Sequence, residues 1–144
     1  MQIPFHSSAR ASLGVEWELQ LIDPQTRELT SGATEILADI LPPGLEEHPK
    51  AKHELLQSTV EIITGICGTV AEAKADLAGT LAEVVAAADR RGLQLMCAGS
   101  HPFTRWDSQE ISPKDRYAQL VERMQWPARR LQIFGVHEIG RAHV

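Results

Sequence analysis

The segment LGVEWELQL, residues 13–21, sets the architecture of this chain because apolar and polar side chains alternate strictly along it. A period of two residues is typical of a β-strand that buries one of its faces. One face takes the apolar members and the other takes the polar members: Val15, Trp17, Leu19 and Leu21 against Glu16, Glu18 and Gln20. The segment therefore predicts a strand with one apolar face and one face that bears carboxylates.

Other elements are predicted on both sides of a long central helix. Thr69 and Glu72 fit a capping box, in which the Thr hydroxyl accepts from the Glu amide and the Glu carboxylate accepts from the Thr amide. Residues 69–91 are predicted as this helix. The further elements are a short helix at 34–40, one or two strands within 51–64, a buried strand at 93–98, a helix from Ser112 to about Gln125 and a last strand at 131–136. Their order predicts an α+β or α/β sheet with helices on one face.

The composition limits the class of protein. The chain has 144 residues, which corresponds to about one domain, and its 14 Lys and Arg against 19 Asp and Glu give a net charge of −5. An acidic balance argues against a general nucleic-acid binder. The sequence has no apolar run of roughly 18 residues and no signal-peptide pattern, so neither a membrane segment nor export is expected. Cys67 and Cys97 form no CxxC motif, which favours the reducing cytoplasm.

The carboxylates of the alternating segment are the first candidate site. Glu16 and Glu18 project from the same strand face, about 7 Å apart at the backbone, and repel each other unless a cation lies between them. Mg²⁺ is suited to such a place, because it takes oxygen ligands and keeps part of its water shell for phosphates. The alternative is a solvated polar face on an edge strand.

Glu54 and Glu61 form a second acidic pair. In one regular strand they would point to opposite faces, but a break near Gln57 and Ser58 would let both face one site. Glu61 lies within an apolar run, where a lone buried carboxylate needs a partner or a metal ion. The alternative is a Glu at the solvated end of an edge strand.

Histidines and one arginine complete the candidates. His53, His101 and His137 with a Glu would suit a Zn²⁺-dependent hydrolase, although no HExxH motif is present. Arg116 can hold a carboxylate or phosphate through two parallel hydrogen bonds, or pair at the surface with acidic neighbours on its own helix.

Five segments taken together resemble one family, the bacterial carboxylate–amine ligases of the glutamate–cysteine ligase type 2 family. They are LGVEWELQLID (13–23), HELLQSTVEIITGIC (53–67), GLQLMCAGSHPF (92–103), RY (116–117) and LQIFGVH (131–137). The resemblance implies an α+β fold, with a mainly antiparallel sheet and helices packed on one face, as a truncated glutamine synthetase-like catalytic fold.

The resemblance also implies a chemistry. ATP would phosphorylate a carboxylate and an amine would attack the acyl phosphate, so the partners are an amino acid carboxylate and an amine. No nucleic acid or membrane partner is expected. Glu16, Glu18, Glu61 and His137 match positions that hold Mg²⁺ and ATP phosphates. Arg116 matches a candidate catalytic contact to substrate or phosphate.

The resemblance stops near the end of the chain. Residues 1–137 are interpreted as the N-terminal part of a single catalytic domain, after which the family's FGVHVHV pattern gives way to EIGRAHV (138–144). That heptapeptide resembles the in-frame translation of a sequencing-library adapter, so we expect a non-native tail that does not extend the sheet. The chain alone is then expected to be an inactive ligase fragment. The alternative is a non-catalytic fragment that self-associates through its strand edges into a homo-oligomer.

Overall fold

The computed structural model describes residues 10–141. Residues 1–9 and 142–144, which hold the start of the predicted domain and the end of the predicted tail, lie outside the described residues. The elements are β1 (Ser12–Ile22), α1 (Ala33–Asp39), β2 (Ala51–His53), β3 (Thr59–Ile63), α2 (Val70–Arg90), β4 (Gln94–Met96), a 3₁₀ turn (Trp106–Ser108), α3 (Asp115–Met124), α4 (Trp126–Arg129) and β5 (Val136–Arg141).

The sheet is built around β1. Its partner on one edge is β3, which in turn pairs with β2. Its other edge is shared end to end, by β5 along Ser12–Trp17 and by β4 along Gln20–Ile22. Every strand pairing within residues 10–141 is antiparallel. The α+β class and the mainly antiparallel sheet are therefore confirmed.

One face of the sheet carries the main apolar core. The buried side chains of β1 and β3 on this face pack against those of α1 and α2, chiefly Leu19, Leu21, Val60, Ile62, Ile36, Val84 and Ala87. Burial of such side chains contributes roughly 1.5–3 kcal/mol each. The predicted helices on one face are thus α1 and α2.

The third helix belongs to a second, smaller core. Tyr117 of α3 clusters with Ile22, Leu55 and Phe134. Ile22 has the same parity along β1 as Glu18, so this core lies on the side opposite α2. Among the described residues, no helix has the length and apolar character that crossing a bilayer requires.

The last strand is not where the sequence predicted it. Residues 131–135 form no strand, although the amide of Phe134 donates to the carbonyl of Gly99 at 3.1 Å. β5 instead pairs Glu138 with Val15 and Gly140 with Leu13. The expectation that the tail would not extend the sheet was therefore wrong for residues 138–141. Main-chain pairing along a free strand edge does not require apolar alternation in the added strand.

Two other boundaries also needed correction. The strand predicted as buried at 93–98 is only Gln94–Met96, and its side chains are exposed or half-buried. The helix predicted from Ser112 begins at Asp115, with Lys114 as its N-cap residue. Ser112 is instead buried, and its amide donates to the carbonyl of Leu55 at 2.8 Å.

The N-terminus of α2 confirms the predicted cap and corrects half of it. Thr69 Oγ1 accepts from the amide of Glu72 at 3.1 Å. The carboxylate of Glu72 reaches the amide of Gly68 at 2.7 Å, one residue earlier than the Thr69 amide that a regular capping box uses. At the other end, Gly92 adopts a φ of 69°, as expected for a glycine that terminates a helix.

Candidate functional site

The polar face of β1 lies opposite the α2 layer and carries the predicted carboxylates. Glu18 stands directly across from Glu61 of β3 in the antiparallel register. Directly opposed residues have Cβ atoms about 4.5–5.5 Å apart, so both carboxylates extend into the same space. Both side chains are half-buried.

Glu54 joins this pair because the chain breaks between β2 and β3. β2 ends at His53 and β3 begins at Thr59, so Glu54 escapes the strict alternation that would turn it away from Glu61. Carboxylate oxygens of Glu18, Glu54 and Glu61 all lie within 4.8 Å of one another. The chain thus has a break next to Gln57 and Ser58, where a break lets Glu54 and Glu61 face one site.

The connecting segment is held firmly enough to position Glu54. Leu55 and Leu56 are buried in the second core. The amide of Gln57 donates to the carbonyl of Glu110 at 2.9 Å, and Ser58 Oγ donates to Gln109 at 2.7 Å. The long loop before α3 therefore fixes the position of the segment between β2 and β3.

Burial and the neighbouring carboxylates raise the pKa values of Glu18 and Glu61. Burial, followed by the negative charges of Glu54, Glu16 and Glu18, raises the pKa of Glu61 from 4.5 to about 7. Burial also raises the pKa of Glu18, against a hydrogen bond from the Gly135 amide at 2.6 Å. Tyr117, whose hydroxyl lies 3.5 Å from Glu54, has a pKa raised to about 12 by burial and then by that carboxylate. The cluster therefore has an unmet requirement for positive charge.

The donor set fits Mg²⁺. Carboxylate oxygens are its preferred protein ligands, and a few of them leave coordination positions for water and phosphate. Gln20, on the same strand face, is buried, and its Oε1 has no hydrogen-bond partner among the described residues. Mg²⁺ with its water shell would supply both the positive charge and a water donor for that oxygen.

The histidines do not form a zinc site. His53 Nε2 lies 3.1 Å from the hydroxyl of Thr34, and His101 Nε2 lies 3.0 Å from the carbonyl of Arg27. Within residues 10–141, the only group of three or more potential ligands within reach of one ion is the glutamate cluster. The histidines expected for a Zn²⁺-dependent hydrolase therefore do not come together as a set of metal ligands.

Glu16 and His137 form a neighbouring pair on the same face. They are direct partners between β1 and β5, and His137 Nδ1 lies 3.6 Å from a Glu16 oxygen. A Cβ on Gly135 would lie 2.9 Å from His137 Nε2, so glycine lets this ring approach the backbone. Glu16 lies two residues before Glu18 on the same face of β1. The roles of Glu16 and His137 as metal ligands stay predictions.

Arg116 lies at the start of α3, facing the carbonyl of His53. Its guanidinium donates to that carbonyl at 3.0 Å and stacks on the ring of Tyr117 at 4.4 Å. Among the described residues it forms no ion pair with an acidic side chain, so the surface-pair alternative is not observed. Its contact with substrate or phosphate stays a prediction.

A cavity of about 440 Å³ opens beside Glu61 and Arg116. Lys52, His53 and Lys114 line it together with two acidic residues, Glu47 and Asp115. The sequence did not predict Glu54 as a metal ligand, and it did not predict a role for Lys52 or Lys114. The alternation of β2 and β3 would have found Lys52, since it pairs with Glu61, but only if the register had been known.

The comparison with family models decides the family. Residues 12–138 match the model described as glutamate–cysteine ligase family 2. The chain belongs to the glutamate–cysteine ligase family 2. The match covers β1 through the first residues of β5, and so includes every predicted site residue.

Curated members of glutamate–cysteine ligase family 2 are similar over nearly the whole chain. A Frankia alni protein, provisionally named glutamate–cysteine ligase 2-1, is 57% identical over 138 residues, which are 95% of this chain and 36% of that protein. A Thermobifida fusca protein, provisionally named glutamate–cysteine ligase 2, is 52% identical over 139 residues, 95% of this chain and 35% of its own length. A Mycobacterium bovis protein with the same provisional name is 46% identical over 136 residues, 94% of this chain and 35% of its own. The chain thus spans about a third of the length of these relatives.

Proposed function

We propose that this chain carries the Mg²⁺ and phosphate-binding part of an ATP-dependent carboxylate–amine ligase. The observation that supports it best is the convergence of Glu18, Glu54 and Glu61 within 4.8 Å. Three half-buried carboxylates are costly to keep together without a cation. Ligase membership and the relatives' names support the reaction class.

The proposed reaction has two displacements. A carboxylate oxygen of the first substrate attacks the γ-phosphorus of ATP, giving an acyl phosphate and ADP. The amine nitrogen of the second substrate then attacks the acyl carbon, phosphate leaves with the bonding electron pair, and the amine loses a proton. Such transfers need positioning and charge neutralisation more than covalent help from the protein.

Each residue of the site has a proposed role in that reaction. Glu18, Glu54 and Glu61 hold Mg²⁺, and Glu16 with His137 borders the metal and the nucleotide. A Mg²⁺ ion held by these residues would neutralise charge on the phosphate oxygens. Arg116, with no acidic partner among the described residues, is placed to contact a substrate carboxylate or a phosphate.

We further propose a cytoplasmic protein that self-associates and whose 144-residue chain alone has no turnover. Ile133, Val136 and Ile139 are 68%, 60% and 51% exposed, so apolar side chains are exposed before β5 and along it. Exposed apolar side chains beside a strand edge favour pairing with another chain. The coverage of about a third of the relatives' length supports the absence of turnover.

Calorimetric titration of the chain with ATP tests the proposed function. We expect binding in the presence of Mg²⁺, none in excess chelator, and a loss of at least about tenfold in affinity for Glu18→Gln or Glu61→Gln. Glu35→Gln, an exposed acid on α1, is the matched control and should bind as the parent does. Equal affinity in all variants would contradict the proposed site.

An ADP-formation assay with Mg²⁺, glutamate and cysteine tests the proposed lack of turnover. We expect a rate equal to that of the Glu61→Gln variant. Size-exclusion chromatography of the same sample should show oligomers. A monomer that forms ADP only when both substrates are present would contradict both statements.

A further inference from the structure

The cavity beside the carboxylate cluster brings cationic side chains next to acidic ones. Lys52 is the direct cross-strand partner of Glu61 between β2 and β3, so its side chain leaves the sheet on the same face. Lys114 and Arg116 come from the start of α3 and form another part of the cavity wall. Three cationic side chains therefore border a space of about 440 Å³, and Glu61 of the glutamate cluster lines the same space.

The structure already holds a carboxylate between the two lysines. Glu47, from the loop between α1 and β2, accepts from Lys114 Nζ at 2.7 Å and lies 3.6 Å from Lys52 Nζ. The hydrogen bond and charge of Lys114, followed by the charge of Lys52, lower the pKa of Glu47. Glu47 is exposed and lies on an irregular segment, so it can leave without breaking a helix or strand.

The start of α3 adds positive potential to the same wall. No side-chain hydrogen bond caps its N-terminus among the described residues, and Lys114 is the N-cap residue itself. The uncapped amides of a first turn carry partial positive charge and favour an anion nearby. Asp115 occupies that turn, yet the two lysines contact Glu47 instead.

We propose that Lys52 and Lys114 bind a carboxylate group of an amino acid substrate, and that Glu47 is an internal competitor which this carboxylate displaces. The proposal rests on the proposed ligase function for its substrate class. The pair would hold a carboxylate that is not phosphorylated, while the reacting end of the same molecule lies toward Glu61 and the metal. Displaced Glu47 would move out into solvent with its loop.

A carboxylate suits this pocket better than a phosphate. The present occupant of the lysine pair is a carboxylate, so their spacing already accommodates that group. Glu61 and Asp115 also line the cavity and repel a doubly charged phosphate more strongly than a singly charged carboxylate. Under the proposed function, phosphate oxygens would instead contact a metal ion held by Glu18, Glu54 and Glu61.

Calorimetric titration with L-glutamate in saturating Mg²⁺ tests this site directly. The double variant Lys52→Gln/Lys114→Gln should weaken binding by at least about tenfold, since two charge-assisted contacts are lost. Glu47→Gln should tighten binding by about two- to fivefold, because an exposed ion pair no longer competes. Lys74→Gln, an exposed lysine on α2, is the control and should change nothing.

The outcomes separate this proposal from the ligase proposal. Inorganic phosphate is titrated in parallel, and phosphate binding that depends on both lysines and excludes L-glutamate would overturn the carboxylate assignment. Unchanged L-glutamate affinity in both the lysine and the Glu47 variants would overturn it as well. Lysine-dependent L-glutamate binding in a chain that does not bind Mg²⁺ and ATP would support this pocket while contradicting the proposed ligase site.

Discussion

The two faces of β1 differ more than any other pair of surfaces in this molecule. Leu19 is completely buried against α1 and α2, whereas Glu18, one residue earlier, points into the glutamate cluster. The same backbone positions both, since alternate residues of a strand point to opposite faces. The apolar face stabilises the fold, whereas the carboxylates of the polar face repel one another, and either protonation of Glu61 or a bound cation would relieve that repulsion. Stability and function are thus separated across the thickness of one sheet.

The largest predicted effect breaks the apolar face. Leu19→Ala should lower the free energy of unfolding by about 2–5 kcal/mol, because it removes a fully buried side chain and leaves a cavity. Chemical denaturation measures the change, with Glu18→Gln as the matched substitution on the other face. If Glu18→Gln lowered the free energy of unfolding as much as Leu19→Ala, the polar face would also stabilise the fold, which would contradict this comparison.

The second-largest predicted effect concerns the polar face and depends on pH. Glu61→Gln should stabilise the metal-free chain at pH 8 by about 1–2 kcal/mol, allowing for solvent screening of a half-buried group. The parent must there ionise a carboxyl whose pKa has risen from 4.5 to about 7. Denaturation of both chains between pH 4 and pH 8 checks the prediction.

The direction of the pH effect follows from proton binding. The folded chain binds a proton at Glu61 more tightly than the unfolded chain does, so this contribution to stability is complete below about pH 4.5 and is lost as the pH rises through about 7. The parent should therefore lose stability over that interval, and the Glu61→Gln chain should lose less. Parallel curves for the two proteins would contradict the assigned pKa.

The smallest effect lies away from both faces. Thr69→Ala should destabilise the chain by about 1 kcal/mol, the usual cost of removing an N-cap hydroxyl, because Thr69 Oγ1 accepts from the Glu72 amide. Mg²⁺ binding should not change. Thermal denaturation with and without Mg²⁺ measures both quantities, and a lost response to Mg²⁺ would show that the α2 cap affects the site.

Local patterns predicted the parts of the molecule that local physics determines. The alternation in β1, the cap of α2 and the shared face of Glu16 and Glu18 each depend on neighbours in sequence. The apolar run around Glu61 marked it as a candidate, and the resemblance gave it a metal-binding role; the family assignment is confirmed. The sequence alone does not identify Glu54 as a ligand, because the direction of its side chain depends on where the chain breaks. That break is set by contacts with residues about fifty positions away, such as Ser58 with Gln109.

The remaining errors share this non-local origin. β5 was predicted five residues too early because Ile133 and Phe134 suggest a strand, while main-chain pairing with β1 is what defines the edge. The lysine pocket depends on the register of β2 against β3 and on the position of α3. Neither can be read from composition or periodicity.

The central claim is that Glu18, Glu54 and Glu61 together hold one divalent cation. Mn²⁺ prefers the same oxygen ligands as Mg²⁺, and its electron paramagnetic resonance signal reports the bound fraction. We predict one Mn²⁺ per chain, displaced by Mg²⁺, lost in Glu54→Gln and Glu61→Gln, and retained in the Glu35→Gln control. Glu54→Gln is the sharpest variant, since only the folded geometry brings this residue to the other two. Binding that survives both substitutions, or no binding to the parent chain, would contradict the account.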